Sequence, residues 1–219
     1  MSQSPILKAL LVAVIAVMAA SFFYWPKPGK TTHQKYPLEE ATGYGAAEVA
    51  AKVLGEAGGD VVLIVWESQE KFFPGSENEA RERGFKQAIA NHPNVRCAGH
   101  FLGAKLLPQN HNVIPDGLKL GTLQAARESF PKATLFVSFF GLPQLGAEEE
   151  SQWLNTSPPK VLVVGGPLDA DEMKTAKRMR ESGLLAMYVQ RNNQAAPPTK
   201  DLKGTPNEIF ERFYEILTP

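Results

Sequence analysis

The chain has 219 residues, and its 23 Lys and Arg balance its 23 Asp and Glu, giving a formal net charge of zero. That balance excludes a strongly basic nucleic-acid binder and a polyanionic tail, and 43% apolar against 21% charged residues is a composition that buries a core. With one cysteine, Cys97, neither an intramolecular disulfide nor a cysteine-based zinc site can staple the fold.

Ala9 to Trp25 (ALLVAVIAVMAASFFYW) is an uncharged apolar run, and Ile6 and Leu7 across Lys8 lengthen it to about 20 residues, enough to span a bilayer. Phe22-Phe23-Tyr24-Trp25 closes the run with aromatics that favour the membrane interface. Residues 1–25 are therefore expected to form a transmembrane anchor, in preference to a signal peptide cleaved near Val17-Met18-Ala19. Lys8 precedes the span and Lys27, Lys30 and Lys35 follow it, so the positive-inside rule gives no clear orientation and slightly favours a cytoplasmic C-terminus. Residues 26–37, a polar stretch containing Pro and Gly, read as a tether, and residues 38–219 as the folded domain.

In that domain helical and strand periods alternate. Gly43-Tyr44-Gly45 leads into a helical run that stops at Gly58-Gly59, and Val61 to Trp66 is a β-branched run suited to a strand covered on both faces. Ser76-Glu77-Asn78-Glu79 is a capping box opening a helix to Ala90, and Val95 to Leu102 is the second strand. A helix over Gly117–Phe130, a strand over Thr134–Phe139 and a short helix over Ala147–Leu154 follow, the last with Glu148, Glu149 and Glu150 at its positive end. Val161–Val164 is the fourth strand. Asp169 or Asp171 caps a helix to Glu181, Leu184–Val189 is the fifth strand, and Thr205-Pro206-Asn207-Glu208 caps a last helix expected to run to Leu217. Five strands alternating with helices predict a doubly wound, five-stranded parallel sheet in three α/β/α layers. In such sheets ligands bind beyond the carboxyl ends of the strands, which selects the loops after Trp66, Leu102, Phe139, Val164 and Val189.

The order of these signals over residues 43–193 resembles the C-terminal lobe of the type I periplasmic binding proteins, the ribose- and sugar-binding family. The resemblance is carried by Ala80-Arg81-Glu82-Arg83-Gly84-Phe85, His92-Pro93-Asn94-Val95, Phe130-Pro131-Lys132-Ala133, Val163-Val164-Gly165-Gly166 and Tyr188-Val189-Gln190. It implies a single periplasmic-binding-protein-like lobe, with Arg81 and Gln190 at the family's ligand-contacting Arg and Gln. Where the family carries an Asn-Asp pair and an Asp for sugar hydroxyls, this chain has Ser138-Phe139-Phe140-Gly141 and Gly166-Pro167.

The candidate ligand-binding residues are thus Arg81, Gln190, Trp66, Phe140 and Gly166. An Arg one turn into a helix at the strand ends suits a carboxylate, phosphate or hydroxyl. Trp66, Phe72, Phe73 and Phe140 offer aromatic faces for a ligand or a partner, or simply pack the loops. Gly165-Gly166 lacks both phosphate-loop patterns and is followed by Asp169, Asp171 and Glu172. His33, His92, His100 and His111 show no metal spacing, Cys97 reads as a small buried hydrophobe, and Ser138 lacks a nucleophile elbow. No catalytic residue, cofactor or metal is expected. The leading reading is a membrane-anchored, non-catalytic binding module facing the periplasm or exterior. It senses a small polar, sugar-like molecule or docks an envelope protein. The alternative is a scaffold that has lost its ligand and pairs as a homodimer, and the third is an enzyme using the generic strand-end cleft, although no paired-carboxylate site with Glu67 and Asp169 can be argued from the sequence alone.

Overall fold

Five short β-branched segments are too apolar to leave either face wet, and in the computed structural model they lie side by side between two helical layers. The structure describes residues 36–65, 76–103, 118–192, 195 and 202–217. The elements are α1 (Pro37–Leu54), β1 (Gly59–Val65), α2 (Glu77–Ile89), β2 (Val95–Leu102), α3 (Leu120–Ser129), β3 (Ala133–Ser138), α4 (Ala147–Leu154), β4 (Lys160–Gly165), α5 (Ala170–Glu181), β5 (Leu185–Arg191), α6 (Pro206–Phe213) and β6 (Tyr214–Leu217). Tyr36–Pro219 forms one compact unit. The expected anchor and most of the tether lie outside the described residues, among which no helix is long and apolar enough to cross a membrane.

The sheet order is β2-β1-β3-β4-β5-β6. The first five strands are parallel, as expected, and the chain reverses direction across the sheet between β1 and β3. Val61, Leu63 and Val65 of β1 face α1, α2 and α6, whereas Val62 and Ile64 face α3, α4 and α5. Alternation along one strand thus fills two cores, and Val61 to Ile64 are fully buried.

Local capping follows the sequence. Ser76 Oγ accepts from Glu79 N at 3.1 Å. Asp169, not Asp171, caps α5: its Oδ1 accepts from Asp171 N and Glu172 N at 2.9 and 2.8 Å, and Glu172 returns the bond to Asp169 N. Thr205 and Glu208 close the same box at α6. Glu150, expected near the positive end of α4, is buried; it accepts from Ser182 Oγ and pairs with Arg178 at 3.2 Å, tying α4 to α5.

The structure corrects the sequence reading at two places. The chain is helical from Pro37 and runs straight through Gly43 and Gly45. Glycine inside a helix costs about 1 kcal/mol against alanine, and here close packing offsets it. A Cβ on Gly43 would stand 1.9 Å from the Arg81 carbonyl oxygen, and one on Gly45 would meet the Phe210 ring at 2.1 Å. Helix α1 lies between α2 and α6, and only small residues let both approach. The second correction makes the sheet six-stranded and mixed. The last helix ends at Phe213, and Tyr214–Leu217 pairs antiparallel with β5. Tyr214-Glu215-Ile216-Leu217 carries no alternation of its own, and pairing satisfies the open backbone of β5.

On α2, Glu82 accepts from His100 Nδ1 at 2.8 Å and from Lys86 Nζ at 2.5 Å. The His100 bond, ahead of Lys86 and against desolvation, holds its carboxyl down at about 2, below the usual 4.5. A depressed carboxyl contributes stability that is fully present above pH 4.5 and disappears as the pH falls towards about 2. Glu82→Gln is therefore expected to lower stability at neutral pH by about 2 kcal/mol and to flatten the acid limb of a urea-unfolding series across that window. An unchanged acid limb would contradict the assignment.

Candidate functional site

The strand order reverses between β1 and β3, and the first turn of α2 stands over the carboxyl ends of these strands. Arg81 lies one turn into α2, its side chain 23% exposed. Its Nη1 donates to Asn78 Oδ1 at 2.7 Å, and its Nη2 lies 3.4 Å from Glu77 Oε2. The guanidinium lies over the Phe139 ring, 5.6 Å from the centroid. Phe139 follows β3 directly, and its N–H extends the ladder by donating to Ile64 O at 3.1 Å. Asn78 is buried, so the clamp on Arg81 is partly withdrawn from water.

The same face carries a second polar group. Tyr214 opens β6 and is paired in register with Arg191, the last residue of β5. The Tyr214 ring stacks on Phe210 at 5.2 Å, and its hydroxyl is hydrogen-bonded to Thr42 Oγ1 at 2.8 Å. Thr42 also donates to Leu38 O at 2.7 Å. Burial pushes the Tyr214 phenol up, opposed by the Thr42 bond and by the charges of Arg81 and Arg191. The rim of this face therefore holds Arg81, Asn78, Phe139, Tyr214 and Arg191.

Gln190, Phe140 and Gly166 take other places. Gln190 Nε2 donates to Glu215 Oε1 on the neighbouring strand, directly opposite in register. Val189 packs with α1, α2 and α6 while Tyr188 packs with α3 to α5, so alternation puts Gln190 on the face opposite Arg81. Phe140 packs with that same opposite face, where a Cβ on Gly103 would meet its ring at 2.6 Å. Gly166 is exposed, and its carbonyl accepts from Tyr188 OH at 2.8 Å. Burial, with the charge of Glu172, raises the Tyr188 phenol to about 12, so it remains a donor. Trp66, Phe72, Phe73 and Glu67 lie outside the described residues.

Of the other sequence candidates, Cys97 is only partly buried, and desolvation raises its thiol. Ser138 is fully buried; it accepts from Phe140 N at 3.1 Å and lies 3.3 Å from Gly141 O, which makes it a turn brace. Asp169 serves as the cap of α5. Among the described residues no group of three or more His, Cys, Asp and Glu is arranged to hold a metal. A groove of about 440 Å³ opens on the opposite face, between Leu142–Leu145 and the start of α5, with Asp169, Asp171, Glu172 and Arg178 on its walls.

The sequence reading missed Asn78, Phe139, Tyr214 and Arg191. Alternation along β3 separates Phe139 from Phe140 and offered a signal for the first. Asn78 was visible only as part of a cap. Tyr214 fell inside an expected helix, which hid its register with Arg191.

No family model and no curated protein sequence matches the chain. Solved structures with a similar chain path include an ABC-transporter solute-binding protein from Burkholderia graminis in complex with D-arabinose. It shows 18% identity and a TM-score of 0.45 over 69% of this chain and 47% of that one. An arabinose-binding protein from Geobacillus stearothermophilus matches at 16% identity and a TM-score of 0.45 over 69% of this chain and 45% of its own. A periplasmic sugar-binding protein from Pseudomonas fluorescens matches at 16% and 0.44, over 70% and 43%. The chain spans less than half the length of these proteins.

The Arg81 position depends on the contact of Gly43 with its carbonyl. Gly43→Ala is expected to cost about 2–3 kcal/mol in urea unfolding, because the atom it would meet is backbone and cannot rotate away. A change below about 0.5 kcal/mol would show that α1 and α2 do not touch there. The chain is similar, at the level of its fold, to periplasmic sugar-binding proteins over about 70% of its length.

Proposed function

We propose that this protein is a non-catalytic binding module that takes a small polar molecule at the carboxyl edge of its sheet, with Arg81 as the anchoring residue. The observation that carries the reading is the Arg81 guanidinium. It is fixed by buried Asn78 and stacked on Phe139, at the point where the strand order reverses. A guanidinium whose geometry is set before binding loses little freedom when it captures a ligand. The uncharged run Ala9–Trp25 supports a membrane anchor, and the resemblance of residues 43–193 supports a domain facing the periplasm or exterior. D-arabinose, bound by the similar Burkholderia graminis protein, is a natural first probe.

A second reading has its own observation. Gln190 is bonded to Glu215, and Gly166 presents no side chain, so two positions equivalent to sugar contacts are not directed at a ligand. This favours a scaffold that docks an envelope partner or a second copy of the chain.

A thermal-shift screen of the purified full-length chain against sugars, amino acids, nucleosides and small carboxylates separates the two. A ligand at about 100 times its Kd stabilises the domain by about 2.7 kcal/mol. The binding reading predicts at least one stabilising compound whose effect is lost in Arg81→Ala. Silence across a folded sample, with dimerisation or partner capture, supports the scaffold instead.

A further inference from the structure

Resting on the reading of the Arg81 rim as the binding site, we infer that its ligand carries a carboxylate, held between the guanidiniums of Arg81 and Arg191. A guanidinium has five N–H donors. Arg81 commits one to Asn78 at 2.7 Å, and a second makes the contact with Glu77. Its remaining donors meet no acceptor among the described residues. The Glu77 contact is long, 3.4 Å, and Glu77 is 56% exposed, so it costs little to displace. A ligand carboxylate on the same edge makes a shorter, bidentate, charge-assisted pair.

Arg191 supplies the second cation. It ends β5 at the same strand edge, is exposed, and its side chain makes no hydrogen bond or ion pair among the described residues. Its register partner Tyr214 packs with α1, α2 and α6, and residues opposed in an antiparallel pair share a face, so Arg191 points to the side on which Arg81 stands. Tyr214 links the two: it meets Thr42 of α1, whose neighbour Gly43 lies against the Arg81 carbonyl. The charges of both arginines act on its phenol, and burial keeps that phenol protonated. Glu39, in the first turn of α1, also acts on it and, with Glu77 beside Arg81, is an opposing charge on the rim. An anion is favoured on the arginine side and disfavoured beside Glu39.

The alternative ligand, a neutral polyol, has less to hold it. The Gln190 amide is bonded to Glu215, and Gly166 has no side chain to offer. Neutral hydroxyls need several matched donors and acceptors, whereas one carboxylate is served by two guanidiniums.

The test uses the full-length chain and matched probes that differ at one carbon: D-galacturonate against D-galactose, and D-glucuronate against D-glucose, with L-malate as an acid lacking a ring. Calorimetric titration at low and high salt is expected to show each acid binding at least about tenfold tighter than its neutral partner. The advantage shrinks at high salt, falls in Arg191→Gln and disappears in Arg81→Gln. Arg81→Lys, which keeps the charge but not the fork, also loses most of it while circular dichroism is unchanged. Equal affinity for acid and neutral partners, lost in Arg81→Gln, would keep the rim as the site and overturn the carboxylate. An acid preference untouched by Arg191→Gln would overturn the two-arginine assignment. No binding by any probe would overturn both the inference and the site beneath it.

Discussion

Helices α1 and α2 meet backbone to backbone, and the placement of the Arg81 rim depends on that contact. A Cβ on Gly43 would lie 1.9 Å from the Arg81 carbonyl, and a Cβ on Gly84 would lie 1.9 Å from the Glu40 carbonyl. Each glycine receives a backbone carbonyl of the facing helix, so neither helix can slide without opening a void or forcing a clash. The same stretch of α1 receives the Phe210 ring at Gly45 and offers Thr42 to Tyr214. One helix of small residues thus sets the positions of Arg81 on α2 and of Tyr214 beyond α6. The helix-interior glycines cost about 1 kcal/mol each in propensity. Burial of Ala46, Ala47, Val49 and Ala50 around them offsets that cost.

Much of the fold was legible because local signals agreed with the global arrangement. Ser76, Asp169 and Thr205 cap the helices that their spacing predicts, and Val95–Leu102 and Ala147–Leu154 have the predicted bounds. The exceptions have physical causes. Gly43 and Gly45 read as helix breakers when taken alone, and only the approach of α2 and α6 shows why they stand inside α1. Tyr214 to Leu217 follows an amphipathic helix without a break in sequence. Its strand state is imposed by the unpaired edge of β5, a demand that no local pattern announces.

The candidate site was legible only in part. Arg81 was marked by its helix and its resemblance, and it stands at the switch point. Gln190 carried the same mark but sits on the other face, bonded to Glu215 across the strand pair. Which face a residue meets is set by strand register, and the antiparallel β6 that fixes the register at this edge was not foreseen. Arg191 and Tyr214 enter the rim for the same reason. The described rim is one wall, shaped by a fixed guanidinium, an aromatic face and a second arginine. Under the proposed binding function, such a wall would select by charge and orientation more than by enclosure.

The central claim is that the Arg81 rim receives the ligand. Its most direct test is a 15N-labelled titration of the full-length chain with D-galacturonate and D-galactose, following the backbone amides and the arginine side-chain Nε–H resonances. Binding at this rim gives saturable shifts at Asn78, Arg81, Phe139, Arg191 and Tyr214, larger for the acid. Shifts confined to Gln190 and Glu215 or to the groove beside α5, or no saturable shift at all, would contradict it.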